Sequence, residues 1–423
     1  VGSAANMKKV AEIVRREQAR ITVLSAMSGT TDSLVRISRA AASGDRNAIE
    51  EQLAMLTDKY TRCIEELLRE RKQQALARMN ATFGLIRDEA AAFEEYESER
   101  KIIAQGELLT SAIFTAYLQE TGLKAECLYS PDFMVKDSGE KVDTERIGRA
   151  LARVAGDDST FFVAQGFICS DSQGRIDNLG RGGSDYSAAL MGAAVEAAEV
   201  QIWTDIDGMH NNDPRFVDNT RPIRTMSFDE AAELAYFGAK ILHPATIQPC
   251  KDHGIAVLLK NTMDPEAPGT TISNRDDDTK SFHAVAAKDG ITVIRIHSAR
   301  MLMAYGFLRK VFEIFEQYRT PIDMITTSEV AVSLTVDNDS HIDEIVRDLS
   351  ALGSIEIERG NSIVCVVGRM EHGDAGLAAR VFECVRGVPI KMISYGASHR
   401  SLAILIDTEH KKRTLQCLND GLF

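Results

Sequence analysis

The sequence predicts an α/β domain with a mainly parallel sheet, followed by a βαββαβ unit used twice. Three observations carry this. Short apolar runs alternate with helix-length segments through the first two-thirds of the chain. A Gly-rich loop joins a buried strand to a helix. The last third repeats one pattern.

The elements follow in order. Ile21–Leu24 is an apolar run ending in the hydroxyl-rich turn Ser25-Ala26-Met27-Ser28-Gly29-Thr30-Thr31. From Asp45 to Glu120 there is no proline, and apolar residues recur at helical spacing between charges, which predicts several helices. Phe161–Ala164 and Val200–Trp203 read as buried strands, with the Gly-rich loop and a helix over Ser184–Ala197 between them. Ile255–Leu259 is a further strand. Strands separated by helices indicate a mainly parallel sheet. The charged tract Asn274–Lys280 reads as a surface linker, which gives a first domain of 1–275.

Beyond it, GFLRKVFEIFEQYRTPIDMITTSEVAVSLTVD (Gly306–Asp337) is answered by GLAARVFECVRGVPIKMISYGASHRSLAILID (Gly376–Asp407). Each copy is preceded by a strand, Thr292–Ile296 and Ile363–Val367. The pattern is ferredoxin-like, with expected units at 290–355 and 356–423.

Composition excludes several classes. The 423 residues carry 44% hydrophobic and 26% charged side chains, an ordinary globular balance. A net charge of −13 without a long basic run argues against nucleic acid or an anionic membrane as main partner. The apolar runs are too short to cross a bilayer, and the opening residues are polar and helical in pattern rather than a signal peptide. Seven scattered cysteines, with no C-x-x-C pair, read as reduced thiols in a cytoplasm. Nine dispersed histidines and no H-E-x-x-H give no dedicated metal site.

Several short stretches are candidates for chemistry. In Gly180-Arg181-Gly182-Gly183-Ser184-Asp185-Tyr186-Ser187 the glycines let backbone N–H groups approach a ligand. Ser184 or Asp185 would cap the following helix, and Arg181 offers a fork-shaped cation for a carboxylate or phosphate. A tight turn with an N-cap explains the same residues. Thr204-Asp205-Ile206-Asp207-Gly208 sits at the carboxyl end of a strand, where open α/β sheets bind ligands, or is a plain turn. Asn212-Asp213-Pro214-Arg215 also reads as a turn. Lys240 and His243 stand where a helix pattern ends, and Glu107, just past Gly106, as at an ordinary surface helix start. Singly, none of these decides a function.

Together they do. The ordered set SAMSGTTD, GELLTS, QGFI, NLGRGGSDYSAAL, IWTDIDGMHNNDPR and FGAKILHPATI, followed by two βαββαβ units, resembles the aspartate kinases, closest to their monofunctional, lysine-sensitive branch. The resemblance covers essentially the whole chain. It implies an amino-acid-kinase (carbamate-kinase-like) αβα sandwich followed by two ferredoxin-like ACT domains. The implied activity is transfer of the γ-phosphoryl group of ATP, with Mg2+, to the β-carboxylate of L-aspartate, opening lysine, threonine and methionine biosynthesis. By motif, Arg181 grips the α-carboxylate of aspartate and Glu107 its ammonium group. Ser25, Thr31, Phe167 and Ser184 line the pocket, and Asp185 is the catalytic aspartate. Thr204, Asp205, His210, Arg215 and Lys240 match the nucleotide side, with the metal held by the nucleotide's phosphates. Met301, Gly306, Phe307, Leu308, Asp323, Thr327, Ser328 and Glu329 match the effector site, with lysine the leading effector. The ACT units imply a homodimer, with a tetramer as a further assembly.

Three departures stand out. The family begins with K-F-G-G-T-S, and Val1 falls just past that motif, which leads to the expectation of a missing N-terminal stretch and a nearly inactive chain as written. His210 stands where a tyrosine is more usual, and Met303-Ala304 replaces a polar pair. The end at Phe423 leads to the expectation of no fused homoserine dehydrogenase. Two other readings remain at this point. Kinases of glutamate, acetylglutamate or nucleotides share the fold, though GRGGSD with tandem ACT units speaks against them. A silent amino-acid sensor would also suit a chain without the lysine motif.

Overall fold

The computed structural model describes residues 1–423 except 138, 140, 156, 158, 181, 239–241, 243–245, 276–280, 302–304 and 371–375, and the side chains of 155 and 300. The chain forms two compact units, Val1–Asp207 with Ala245–Pro268, and Gly208–Pro244 with Gly269–Phe423.

The first unit opens with α1 (Ala4–Glu17), β1 (Ile21–Leu24) and α2 (Thr30–Ser43). The proline-free stretch then divides into α3 (Arg46–Leu67), α4 (Lys72–Ala91) and α5 (Glu95–Glu120). Ser3 and Asp45 accept the Asn6 and Ala48 N–H groups at 3.2 and 3.1 Å, capping α1 and α3. There follow β2 (Ala125–Cys127), α6 (Thr144–Ala155), β3 (Phe161–Gln165), the hairpin β4 (Ile168–Ser170) and β5 (Ile176–Asn178), α7 (Gly183–Ala194) and β6 (Glu199–Thr204). Next, β7 (Thr225–Ser227) and α8 (Phe228–Tyr236) belong to the second unit, before α9 (Gln248–His253) and β8 (Ala256–Asn261) return to the first.

β1 and β2 run parallel to β3 on either side, and β6 is parallel to β8. Successive residues of β3 face opposite layers. Val163 packs with the α1–α5 core, which includes Met7, Leu34, Tyr60 and Phe114. Phe162 and Ala164 pack with Ile147, Leu151, Leu190 and Met191 of α6 and α7. This period of two is what a sheet covered by helices on both faces requires.

In the second unit, β9 (Thr270–Ser273) pairs in parallel with β7. The rest is one antiparallel sheet. Its elements are β10 (Phe282–His297), α10 (Phe307–Gln317), β11 (Ile325–Thr327), β12 (Ala331–Val336), α11 (Ile342–Leu349), β13 (Ser354–Gly368), α12 (Leu377–Cys384), β14 (Met392–Tyr395), β15 (Ser401–Asp407) and α13 (Lys411–Leu422). The order is β11-β12-β10-β13-β15-β14. The far half of β10, from Thr292, pairs with β12 and with residues 354–358, completing the first βαββαβ unit.

The second repeat departs from expectation. Among the described residues no strand follows α13; its fourth strand is Phe282–Lys288, which pairs with Ile363–Gly368. The first unit is therefore inserted into the second, and β10 and β13 each serve both. The register shifts between Lys288 and Val293 mark the joint, where Gly290 and Gly360 take left-handed φ values of 77° and 79°.

The segment Gly208–Pro244, expected within the first domain, groups with this sheet. Two buried amides explain its attachment. Asn211 Nδ2 donates to Asn419 Oδ1 at 3.1 Å, and Asn212 Nδ2 to the Leu415 carbonyl at 3.0 Å. The expected linker falls largely on 276–280, outside the described residues. Among the described residues no helix is long and apolar enough to cross a membrane, and the seven cysteines are free thiols.

Candidate active site

The turn after β1 is held from below by α5. Gly106 makes this approach possible, since a Cβ there would stand 2.8 Å from the Ala26 Cβ and 3.2 Å from Thr30 Cγ2. Glu107 is thus no surface helix start. It lies in the middle of α5, 3% exposed, where its Oε1 accepts the Ala26 N–H at 3.2 Å. Its other oxygen is buried without a hydrogen-bond partner. Burial pushes the Glu107 carboxyl up to about 7, against the opposing pull of the Ala26 N–H.

A second layer supports the same turn. The Met27 N–H donates to Thr110 Oγ1 at 3.1 Å, and the Tyr60 hydroxyl lies 3.2 Å from both Thr110 Oγ1 and Thr30 Oγ1. Lys59 donates to the Ser28 carbonyl and, at 3.4 Å, to Thr30 Oγ1. Tyr60 and Lys59 lie in the proline-free helical stretch, and nothing in its pattern set them apart. Thr110 was visible as part of GELLTS. Gly106→Ala is expected to cost about 1–3 kcal/mol of stability by forcing α5 off the turn. Urea denaturation measures this, and an unchanged midpoint would show that the turn yields freely.

The Gly-rich loop meets this turn. Ser25 Oγ donates to Ser184 Oγ at 2.8 Å, bringing together two residues 159 positions apart. A Cβ on Gly166 would lie 2.7 Å from the Ser184 Cβ, so QGF and GRGGSD approach closely only through glycine. Phe167 adopts a left-handed φ of 67°, strained for an aromatic residue, with its N–H donating to Ser187 Oγ at 3.0 Å. The loop's root is the buried Asp177 of β5, ion-paired with Lys136 at 2.7 Å and Arg100 at 2.5 Å. The N-cap of α7 is Gly182, with no side-chain cap, rather than Ser184 or Asp185. Both lie instead in the first turn, where a helix N-terminus favours negative charge. Burial pushes the Asp185 carboxyl up to about 6. Thr31 is half-buried in the first turn of α2.

Thr204 ends β6 and its hydroxyl accepts the Ile206 N–H at 3.1 Å, shaping a turn that leaves Asp205 exposed. In the second unit, His210 Nδ1 is 3.1 Å from Thr220 Oγ1, and Arg215 pairs with Asp213 at 2.7 Å on the surface. Arg181, Lys240 and His243 lie outside the described residues.

The effector candidates surround the first βαββαβ unit. Gly306, left-handed at φ 79°, is the N-cap of α10, which opens with the buried Phe307 and partly buried Leu308. Met301 is partly buried, while Met303-Ala304 falls outside the described residues. Thr327, Ser328 and Glu329 are exposed at the end of the edge strand β11, where the Ser328 N–H donates to the Ala331 carbonyl at 2.8 Å. Asp323 is different, with a side chain 2% exposed.

Comparison with known proteins gives the family. Residues 1–261 match the model of the amino acid kinase family, and residues 364–422 that of the ACT domain. The lysine-sensitive aspartokinase 3 of Escherichia coli is 33% identical over 444 aligned residues, covering 99% of this chain and 96% of its own. The crystal structure of E. coli aspartokinase III with aspartate and ADP, in the R-state, superposes with a TM-score of 0.88 at 32% identity, covering 100% of this chain and 97% of that one. Its complex with lysine and aspartate, in the T-state, gives 0.83 at 32% identity, over 99% and 96% of the two chains. With a helix-covered parallel sheet, a Gly-rich loop meeting a turn held by a buried glutamate, and ACT units following in sequence, the chain belongs to the amino acid kinase family as one of its aspartokinases.

Proposed function

We propose that this chain binds L-aspartate between Glu107 and the Gly-rich loop and phosphorylates its β-carboxylate with ATP. The observation that carries this reading is the partnerless, buried oxygen of Glu107, whose sister oxygen holds the Ala26 N–H next to the Ser25–Ser184 contact. An α-ammonium group would complete that oxygen's hydrogen bonding and supply the missing positive charge. Arg181 takes the α-carboxylate, leaving the β-carboxylate directed at the nucleotide, with Ser25, Thr31, Phe167 and Ser184 shaping the pocket.

A β-carboxylate oxygen attacks the γ-phosphorus. Its O–P bond forms as the bond to the β,γ-bridging oxygen breaks, and ADP leaves. The carboxylate is already ionised, so no proton has to be removed, and rate comes from alignment and charge neutralisation. Asp185 organises the transfer centre. Thr204, Asp205, His210, Arg215 and Lys240 serve the nucleotide; exposed Asp205, at the carboxyl end of a parallel strand, suits ribose hydroxyls. Mg2+, held by the nucleotide's own phosphates, would supply neutralisation of charge on the transferring group.

The ACT units bind an amino-acid effector, with lysine the leading choice. They also pair chains of this cytoplasmic enzyme into a homodimer, with a tetramer as a further assembly. The edge strands β11 and β14, with exposed Ile325, Ile393 and Tyr395, support such pairing.

The test is ATP-dependent formation of a hydroxylamine-trappable acyl phosphate by the complete encoded polypeptide, with aspartate or glutamate and with or without millimolar lysine. Turnover of aspartate alone, falling on lysine addition, is the expected result. Preference for glutamate, or no turnover, overturns it.

A further inference from the structure

Asp323 lies two residues before β11, the second strand of the first ACT unit, and its carboxylate is already engaged. Lys288 Nζ lies 2.8 Å from its Oδ1 and 2.8 Å from Asp337 Oδ2. The Tyr236 hydroxyl donates to the same Oδ1 at 2.8 Å, and the Lys288 ammonium sits 4.6 Å from the centre of the Tyr236 ring. The other oxygen, Oδ2, is buried without a hydrogen-bond partner. Burial, reinforced by Asp323, holds the Tyr236 phenol above its ordinary range, so it stays a donor at neutral pH. Burial opposes the charge on Lys288, but its two carboxylate partners outweigh that and keep it an ammonium.

We propose that Lys288 is an internal competitor of the effector: it holds, in the unliganded protein, the carboxylate that an incoming ammonium group must take, and so sets the effector concentration needed. This rests on the reading of Asp323 as the effector's carboxylate. Two ammonium groups on one buried carboxylate repel each other. Oδ2 gives the incoming group a first foothold, and full binding releases Lys288 towards Asp337. Tyr236 is the second occupant, released with it. Its ring also lines a cavity of about 650 Å3 with Asp229, Glu233 and His399, which leaves it room to turn.

Calorimetric titration of L-lysine into the wild type, Lys288→Met, Tyr236→Phe and Asp323→Asn tests this. Lys288→Met is expected to tighten lysine binding about tenfold, and Tyr236→Phe by about two- to fivefold, the worth of one hydrogen bond returned to the ligand. Binding by Lys288→Met that is weaker than, or within twofold of, the wild type would show that Lys288 builds the site and overturn the proposal. Should that variant fail to fold, the direction of change in Tyr236→Phe, at a partly exposed helix end, decides instead. Wild-type affinity in Asp323→Asn, or no lysine binding by any variant, removes the effector reading itself.

Discussion

Glu107→Gln is expected to weaken aspartate binding at least about 100-fold while raising the melting temperature of the ligand-free protein above pH 7. On the proposed reading, the binding loss follows from removing the charge that meets the ammonium group, at a site too buried for water to replace it. The stabilisation follows from linkage. A carboxyl whose folded pKa is raised contributes stability below its unfolded pKa, near 4.5, and loses it as pH rises through about 7. Above that, the ionised Glu107 costs about 3 kcal/mol relative to a neutral isostere. Glutamine keeps an oxygen for the Ala26 N–H and carries no charge. Melting curves of both proteins should therefore diverge between pH 5 and 8, with the variant higher, while calorimetry finds no aspartate binding. Coincident curves at pH 8, or retained affinity, would refute the assignment.

Asp185→Asn is expected to reduce kcat about a thousandfold, with KM for aspartate and ATP changing less than about threefold. Asp185 sits in the first turn of α7, beside the Ser184 contact, and the expected loss follows from the role proposed for its carboxylate at the transfer centre. A fall of less than tenfold would leave it as a helix-end charge. The pH profile gives an independent check. Burial pushes Asp185 up to about 6 and Glu107 up to about 7, and in the proposed roles both act ionised. For the wild type, kcat/KM for aspartate should climb from pH 5 to 8, and Asp185→Asn should lose the lower of the two limbs.

The layered fold was legible because its strands are bounded apolar runs: Ile21–Leu24 was located to the residue, and Phe161–Ala164 to within one. The site motifs were legible as strings, and the contact between Ser25 and Ser184 joins two of them. The burial of Glu107 was hidden, because it depends at mid-helix on Gly106 fitting against Ala26, a contact 80 positions away. The support from Tyr60 and Thr110 was hidden for the same reason. In the repeats, the helices and inner strands showed themselves through like residues at like positions. The fourth strand of the second unit did not, since Phe282–Lys288 lies before the first copy rather than after the second. Nor did Asn211 and Asn212 announce that a turn would be tied to the last helix, because asparagine in a turn is ordinary.

The nesting of one ACT unit inside the other fixes the order in which the ribosome can let them form. Everything the inner unit needs, from Thr292 to Glu358, emerges while the outer one possesses only Phe282–Lys288. At about 5–20 residues per second, that strand waits on the order of ten seconds for Ile363–Gly368 to be synthesised. During the wait it is an unpaired, mostly apolar edge, the kind of surface that recruits wrong partners. His283 and Lys288 interrupt or end its apolar run, and both later find carboxylates, Glu230 and Asp323. Residues that meet carboxylates in the finished molecule would thus act earlier as gatekeepers on the nascent chain.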